Sequence, residues 1–262
     1  MRLEVLISCM HEKDHSIVER TNIQTDVIVV NQCDKDLVEE YSFINKKGKE
    51  CIVKFINSTE RGLSKSRNMA LRNASADLCL ICDDDEELYN DYEDIIINAF
   101  QKTPSAELIA FNIKRPTKKP FDSVHKLGYV ESLKVSSVHI TFRLKRVLEE
   151  RIFFDEMLGS GTGNGGGEDT RFMRDCRIKG LSLWSNDSFI GILKNTSNSL
   201  WFHGYNKQFF IDSGWASRRI YGDTFSAVKL LHYAIKHWGS YHKDISLIDA
   251  IRYSFVGWHM KK

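Results

Sequence analysis

The sequence predicts an α/β domain, a mostly parallel sheet flanked by helices, followed by a helical, aromatic-rich C-terminal extension. Three observations carry this. β-branched apolar runs alternate with helically spaced ones through residues 1–102, the pattern of strands joined by crossover helices. The run Leu78-Cys79-Leu80-Ile81-Cys82 breaks off into Asp83-Asp84-Asp85-Glu86-Glu87, which puts carboxylates where a buried strand leaves the core. From Trp201 onward the composition changes: Trp201, Phe202, Tyr205, Phe209, Phe210, Trp215 and Tyr221 crowd together.

Leu3 to Ser8 reads as the first strand, and a short helix starts at Ile17. Asp26 to Asn31 is β-branched and apolar on both faces, as a parallel strand requires. Cys51 to Ile56 is a third strand. Gly62-Leu63-Ser64 opens a helix, with Ser64 as its N-cap. After the acidic strand, Tyr92, Ile95, Ile96, Ala99 and Phe100 fall at helical spacing, giving an amphipathic helix from Asn90 to Lys102. Leu108–Ile113 and Val138–Leu144 read as further strands. Leu158–Gly167 is a glycine-rich, flexible loop, and Glu168–Arg177 a helix. Phe225, Val228, Leu231, Ile235 and Trp238 form one late apolar stripe, and Leu247, Ile251, Phe255 and Trp258 another. The division expected is 1–200 for the main domain and 201–262 for the extension.

The chain has 262 residues, 42% hydrophobic and 27% charged, with a formal net charge of +2. That length buries a core without staples, and that charge gives no basis for a nucleic-acid partner. No apolar stretch approaches the roughly 20 residues of a membrane span. The N-terminal run carries Glu4 and no small-residue cleavage site, so it reads as a strand rather than a leader. The expected location is cytoplasmic, with reduced thiols, or peripheral on the inner face of the cell membrane. Cys79 and Cys82 mimic a CxxC pair, but side chains three apart on a strand point to opposite faces, so both read as core residues.

Three other motifs mislead. His11-Glu12-Lys13-Asp14-His15 matches HExxH, yet His11 stands where the first strand ends, so the two histidines do not share a helical face. Gly161-Thr162-Gly163-Asn164-Gly165-Gly166 matches GxGxxG but comes far from the first strand-to-helix turn, where a dinucleotide fingerprint belongs. His232, His237 and His242 recur every five residues and spread around a helix.

Carboxylates packed as closely as Asp83, Asp84 and Asp85 repel one another, and need a cation or full solvation. Hard oxygen donors suit Mn²⁺ or Mg²⁺, which usually arrive with a diphosphate. A solvated acidic turn is the alternative. In the same chain, Arg67 follows a helix start, where guanidinium and helix N-terminus both favour phosphate oxygens. Glu168 and Asp169 follow the glycine loop, as a base beside a mobile acceptor lid would; favourable charge at a helix N-terminus is the simpler reading.

Together these features resemble the family-two glycosyltransferases of GT-A fold found in bacterial capsule, exopolysaccharide and cell-surface glycan synthesis. The resemblance runs from about Leu3 to Asp175. Val5 to His11 looks like the family's opening nucleotide-binding strand, with Ser8 where a proline is common, and with Cys9 beside it. Asn31-Gln32 stands where many members carry two aspartates, one of which touches the base; an amide also offers a donor and acceptors to a uracil edge. Arg61-Gly62-Leu63-Ser64-Lys65-Ser66-Arg67-Asn68 resembles the family's helix start with its Arg-Asn pair. Asp83-Asp84-Asp85 matches its DXD motif. That implies Asp83 on the ribose or a metal-bound water and Asp85 on the cation, with Asp84 exchanging roles with either neighbour if the register slips by one. The Glu168-Asp169 pair matches the segment that carries the general base, which points to Asp169. Beyond the matched region, His203 is either a further metal ligand or a packed core histidine, and Lys207 is a candidate to touch the diphosphate.

The resemblance implies an inverting, metal-dependent transfer of a sugar from a nucleotide donor, UDP-linked by expectation, to a hydroxyl of a glycan or lipid-linked glycan. Two other readings stand beside it: a non-catalytic partner subunit of the same fold, and a sugar nucleotidyltransferase. The C-terminal stripes suit a membrane interface, packing on the catalytic domain, or a homodimer contact.

Overall fold

The structure is a computed structural model and describes residues 1–116, 119–159, 161–162, 164, 166–194 and 204–260. Its elements in chain order are β1 (Leu3–Met10), α1 (Ile17–Arg20), β2 (Asp26–Gln32), β3 (Leu37–Ile44), β4 (Glu50–Ser58), α2 (Leu63–Asn73), β5 (Leu78–Asp83) and β6 (Glu86–Leu88). Then come α3 (Tyr92–Lys102), β7 (Leu108–Lys114), α4 (Tyr129–Ser132), β8 (Ile140–Arg143), α5 (Leu144–Glu149), α6 (Glu168–Ile178) and β9 (Leu183–Leu193). The C-terminal part is helical: α7 (Lys207–Tyr221), α8 (Asp223–Lys236), α9 (Trp238–Tyr241) and α10 (Leu247–His259).

Among the described residues one sheet runs in the order β3-β4-β2-β1-β5-β8-β7-β9-β6. Its centre, β4-β2-β1-β5, is parallel, and β3 and β8 pair antiparallel on either side. Period-two alternation sorts the central side chains between two cores. Val5, Ile7, Leu80 and Cys82 face one, capped by Ile17 of α1 and by Tyr92, Ile96 and Phe100 of α3. Leu6, Ile28, Cys79 and Ile81 face the other, under Ala70 and Leu71 of α2 and Phe172, Met173 and Cys176 of α6. Cys79 and Cys82 therefore sit on opposite faces, and all six cysteines are free and buried.

The N-cap of α2 is Gly62, not Ser64. Gly62 has φ of 126°, a conformation that favours glycine, and its N–H donates to Gln32 Oε1 at 2.7 Å. Ser64 lies inside the helix and donates instead to the Leu158 carbonyl at 2.7 Å. The HExxH residues are not helical: His11 follows β1 with φ of 55°, and His15 stacks on Tyr41, both before α1 begins.

The C-terminal helices are fastened to the domain near the glycine loop. Leu158 packs with Trp215, Ala216 and Ile220 of α7. Arg219 forms a two-pronged ion pair with Asp155, at 2.6 and 2.8 Å. α7 and α10 cross closely at two glycines: a Cβ built on Gly214 would overlap the Ser254 carbonyl, and one on Gly257 the Ile211 carbonyl.

Candidate active site

Strand register assembles the site. Ser8 on β1 is paired with Asp83 on β5, and Cys9 and Met10 with Asn31 and Gln32 on β2. All stand at the C-terminal ends of parallel strands, where open α/β sheets bind ligands. α2 then presents Arg67, and the start of α6 presents Glu168 and Asp169.

Arg67 ties these parts together. It is 2% exposed; its Nη2 donates to Asp83 Oδ1 at 2.8 Å and its Nη1 to Asp169 Oδ1 at 3.0 Å. Glu168 Oε1 lies 3.7 Å from the same Nη1, and the Phe154 ring 5.3 Å from the guanidinium carbon. Burial opposes a charge on Arg67, but Asp83, Asp169 and Glu168 outweigh it and hold the guanidinium firmly protonated. Asn68, its neighbour in the motif, fixes the preceding segment: Nδ2 donates to the Phe154 carbonyl at 2.9 Å, and Oδ1 accepts the Phe154 N–H at 2.8 Å.

The carboxylates are in unlike settings. Burial, then the Asp169 charge, pushes Glu168 up to about 7, and its Oε2 has no hydrogen-bond partner among the described residues. Asp84 reaches the surface, yet desolvation and the charges of Asp83, Asp85 and Glu12 push it up to about 6. Asp85 is raised by burial and by Asp83. Behind them Glu86 is buried; one of its oxygens accepts the Asp83 N–H at 3.2 Å, and burial raises its carboxyl well above the ordinary range.

These crowded oxygen donors fit a hard divalent cation, whose charge would relieve the repulsion that raises Asp84 and Asp85. Among the described residues no three His, Cys, Asp or Glu side chains converge as a ready-made cage. One or two carboxylates completed by phosphate oxygens is the usual arrangement for Mg²⁺. His203 lies outside the described residues. Lys207 begins α7 with its Nζ 5.3 Å from the centre of the Tyr253 ring of α10.

Asn31 and Gln32 reach the site but spend their amides within the protein. Asn31 Oδ1 accepts the Glu12 N–H, and its Nδ2 donates to the Glu12 carbonyl and to Asn57 Oδ1. Gln32 holds Gly62, as above. Cys9 is buried, with its thiol near the Val30 carbonyl, and burial raises it far above the ordinary thiol range. Ser8 Oγ is buried with no hydrogen-bond partner among the described residues.

Beside Asp169 a cleft of about 420 Å³ opens between residues 133–136 and the segment Gly166–Thr170. A second, of about 470 Å³, continues past Gly167 and Thr170 along α7, lined by Asn206, Asp212, Ser217 and Tyr221. Residues 133–136 and the cleft-lining Asp212 and Ser217 of α7 were not among the sequence candidates, nor was Arg115, whose guanidinium donates to Ser136 Oγ at 3.0 Å and feels the charges of Glu86 and Asp169.

Residues 11–158 match the sequence profile of glycosyl transferase family 2, more than half of the chain. The chain belongs to that family. No curated protein matches it in sequence. Among solved structures, this glycosyltransferase is similar to S. aureus TarS 1-349 in complex with UDP-GlcNAc: TM-score 0.66, 13% identity, over 97% of this chain and 79% of that one. It is also similar to the mannosyltransferase PcManGT from Pyrobaculum calidifontis in complex with GDP-Man and Mn²⁺: TM-score 0.53, 13% identity, over 97% and 73%. At such identity the likeness is one of fold, and it places this glycosyltransferase among GT-A proteins. Among the described residues of the enzyme no helix is long and apolar enough to cross a membrane.

Proposed function

We propose that this glycosyltransferase transfers a sugar, with inversion, from a UDP-linked donor to a hydroxyl of a glycan, free or lipid-linked, in bacterial surface polysaccharide synthesis. The observation that carries the reading is the single guanidinium of Arg67 spanning Asp83 at the strand end and Asp169 at the cleft. It holds a strand-end carboxylate and a candidate base to the two arms of one guanidinium, and so at a fixed separation.

In this reading Asp83 and Asp85 would hold Mn²⁺ or Mg²⁺, with Asp84 taking part if the register slips. The cation would neutralise the leaving diphosphate. Asp169 accepts the proton of the acceptor hydroxyl as that oxygen bonds to the anomeric carbon and the bond to the diphosphate breaks. One displacement inverts the anomeric configuration. Arg67 orients both carboxylates, and Glu168, raised to about 7 by burial, carries less charge against Asp169 near neutral pH than an ordinary carboxylate would. Ser8, Cys9, Asn31 and Gln32 form the floor beneath the nucleotide, with Asn31 and Gln32 shaping the base pocket through the loops they hold. TarS with UDP-GlcNAc supports a uridine donor, and PcManGT with GDP-Man and Mn²⁺ supports the metal. In the proposed division, residues 1–200 carry the chemistry and 201–262 build the acceptor side.

The test is a calorimetric titration of UDP, first with Mn²⁺ and then with EDTA. Binding only with the metal is expected. Equal binding in EDTA removes the metal role, and binding of GDP in place of UDP reassigns the base.

A further inference from the structure

The outer face of α8 is apolar and uncovered. Phe225, Val228, Leu231 and Ile235, then Trp238 at the start of α9, recur at helical spacing and are all exposed, with Val228 at 64% and Ile235 at 65%. Side chains so spaced share one helix face. The face continues onto α4, where Tyr129 and Val130 are exposed and the Tyr129 ring meets Phe225 edge-on at 6.3 Å. Scattered exposed hydrophobics are ordinary; a contiguous row is a docking surface.

Charge selects the occupant. Between Asp223 and Asp244 the chain carries Lys229, Lys236 and Lys243 and no acidic residue. Two carboxylates near the margins are already engaged: Asp223 pairs with Arg218 at 2.7 Å, and Glu131 lies 3.0 Å from His125 Nε2. A second copy docked face to face would set lysine against lysine. Nucleic acid answers the lysines but gives the aliphatic row nothing to bury against. An anionic lipid surface satisfies both, since acyl chains receive the apolar row and headgroups the ammonium groups.

We infer that α8, with α4 beside it, docks this protein on an anionic membrane surface. The position suits an enzyme whose acceptor cleft opens nearby. Lys229 lies 4.4 Å from the centre of the Tyr221 ring, and Tyr221 lines the cleft and packs on Phe225. The inference rests on the surface chemistry and holds for any donor.

The test is flotation of the full chain with vesicles of phosphatidylcholine alone and of phosphatidylcholine with phosphatidylglycerol. Flotation on the mixed vesicles, weakened by salt, is expected. Val228→Glu with Ile235→Glu should cut it by about tenfold or more. Lys236→Gln with Lys243→Gln should lower the preference for anionic vesicles by about thirtyfold. Each variant is checked by thermal unfolding and UDP binding, and Val228→Ser with Ile235→Ser replaces the glutamate pair if that pair fails to fold. Wild-type protein that stays unbound on the mixed vesicles overturns the inference. So does a folded face variant that floats as well as wild type. A wild-type dimer by light scattering that the face variant converts to monomer overturns it in favour of a second copy.

Discussion

Arg67 Nη1 and Asp169 Oδ1 stand 3.0 Å apart although 102 positions separate them in the chain. The other arm of the same guanidinium holds Asp83. The motif arginine is therefore an internal brace between the acid cluster and the Glu-Asp pair. Replacing Asp169 with Asn keeps an oxygen for Arg67 to hold and removes the proton acceptor. Transfer should fall by about 10²–10⁴-fold, with UDP affinity nearly unchanged. Turnover close to wild type would remove Asp169 as the base.

Glu168 makes stability depend on pH in an unusual direction for a carboxylate. Burial lifts it from an ordinary 4.5 to about 7. The folded state therefore binds this proton more tightly than the unfolded chain does. Its contribution is fully present below about 4.5 and is lost as pH rises through about 7. The loss approaches about 3 kcal/mol. Glu168→Gln mimics the protonated form, so denaturant midpoints of the metal-free variant should rise relative to wild type across that window. Parallel pH profiles for the two proteins would show that Glu168 is already ionised in the fold.

Much of this was legible in the sequence, for local reasons. The central strands announce themselves by unbroken β-branched runs, because both their faces are buried. The acid cluster shows because apolar and acidic residues meet abruptly at Asp83. Other elements leave weaker marks. β3 is an edge strand whose apolar alternation is broken by Glu39 and Glu40, and β9 carries the polar run Ser185-Asn186-Asp187-Ser188 across a register shift. β6 is hidden in the acidic run itself, where buried Glu86 reads as one more surface charge. The role of Arg67 depends on a contact across the fold that no local pattern encodes. The inward-turned amides of Asn31 and Gln32 escape for the same reason.

Asp85 should separate metal binding from folding. Its charge adds to the repulsion that raises Asp84, so Asp85→Ala should leave the metal-free protein as stable as wild type or slightly more so. Mn²⁺ with UDP should raise the melting temperature of the wild type; ligand at a hundred times its dissociation constant adds about 2.7 kcal/mol. The variant should lose most of that rise. An unchanged rise would move the ligand role to Asp83 or Asp84.

The crossing of α7 and α10 predicts a sharp contrast among glycines. A methyl group on Gly214 would run into the backbone of Ser254 and Trp258, and backbone does not swing aside as a flexible side chain does. Gly214→Ala should therefore force the helices apart at a cost of about 1–3 kcal/mol, and Gly257→Ala should do the same against Ile211. Gly239 in α9 has open space around its Cβ direction, so Gly239→Ala should be neutral or stabilising by up to about 1 kcal/mol. Chemical denaturation of the three variants checks the ranking. Because α7 also lines the larger cleft and carries Arg219 to Asp155, the Gly214 variant should lose transfer activity beyond its loss of folded protein, while UDP affinity at the strand ends holds. Equal stability in all three would mean that α7 and α10 are spaced more widely than this crossing requires.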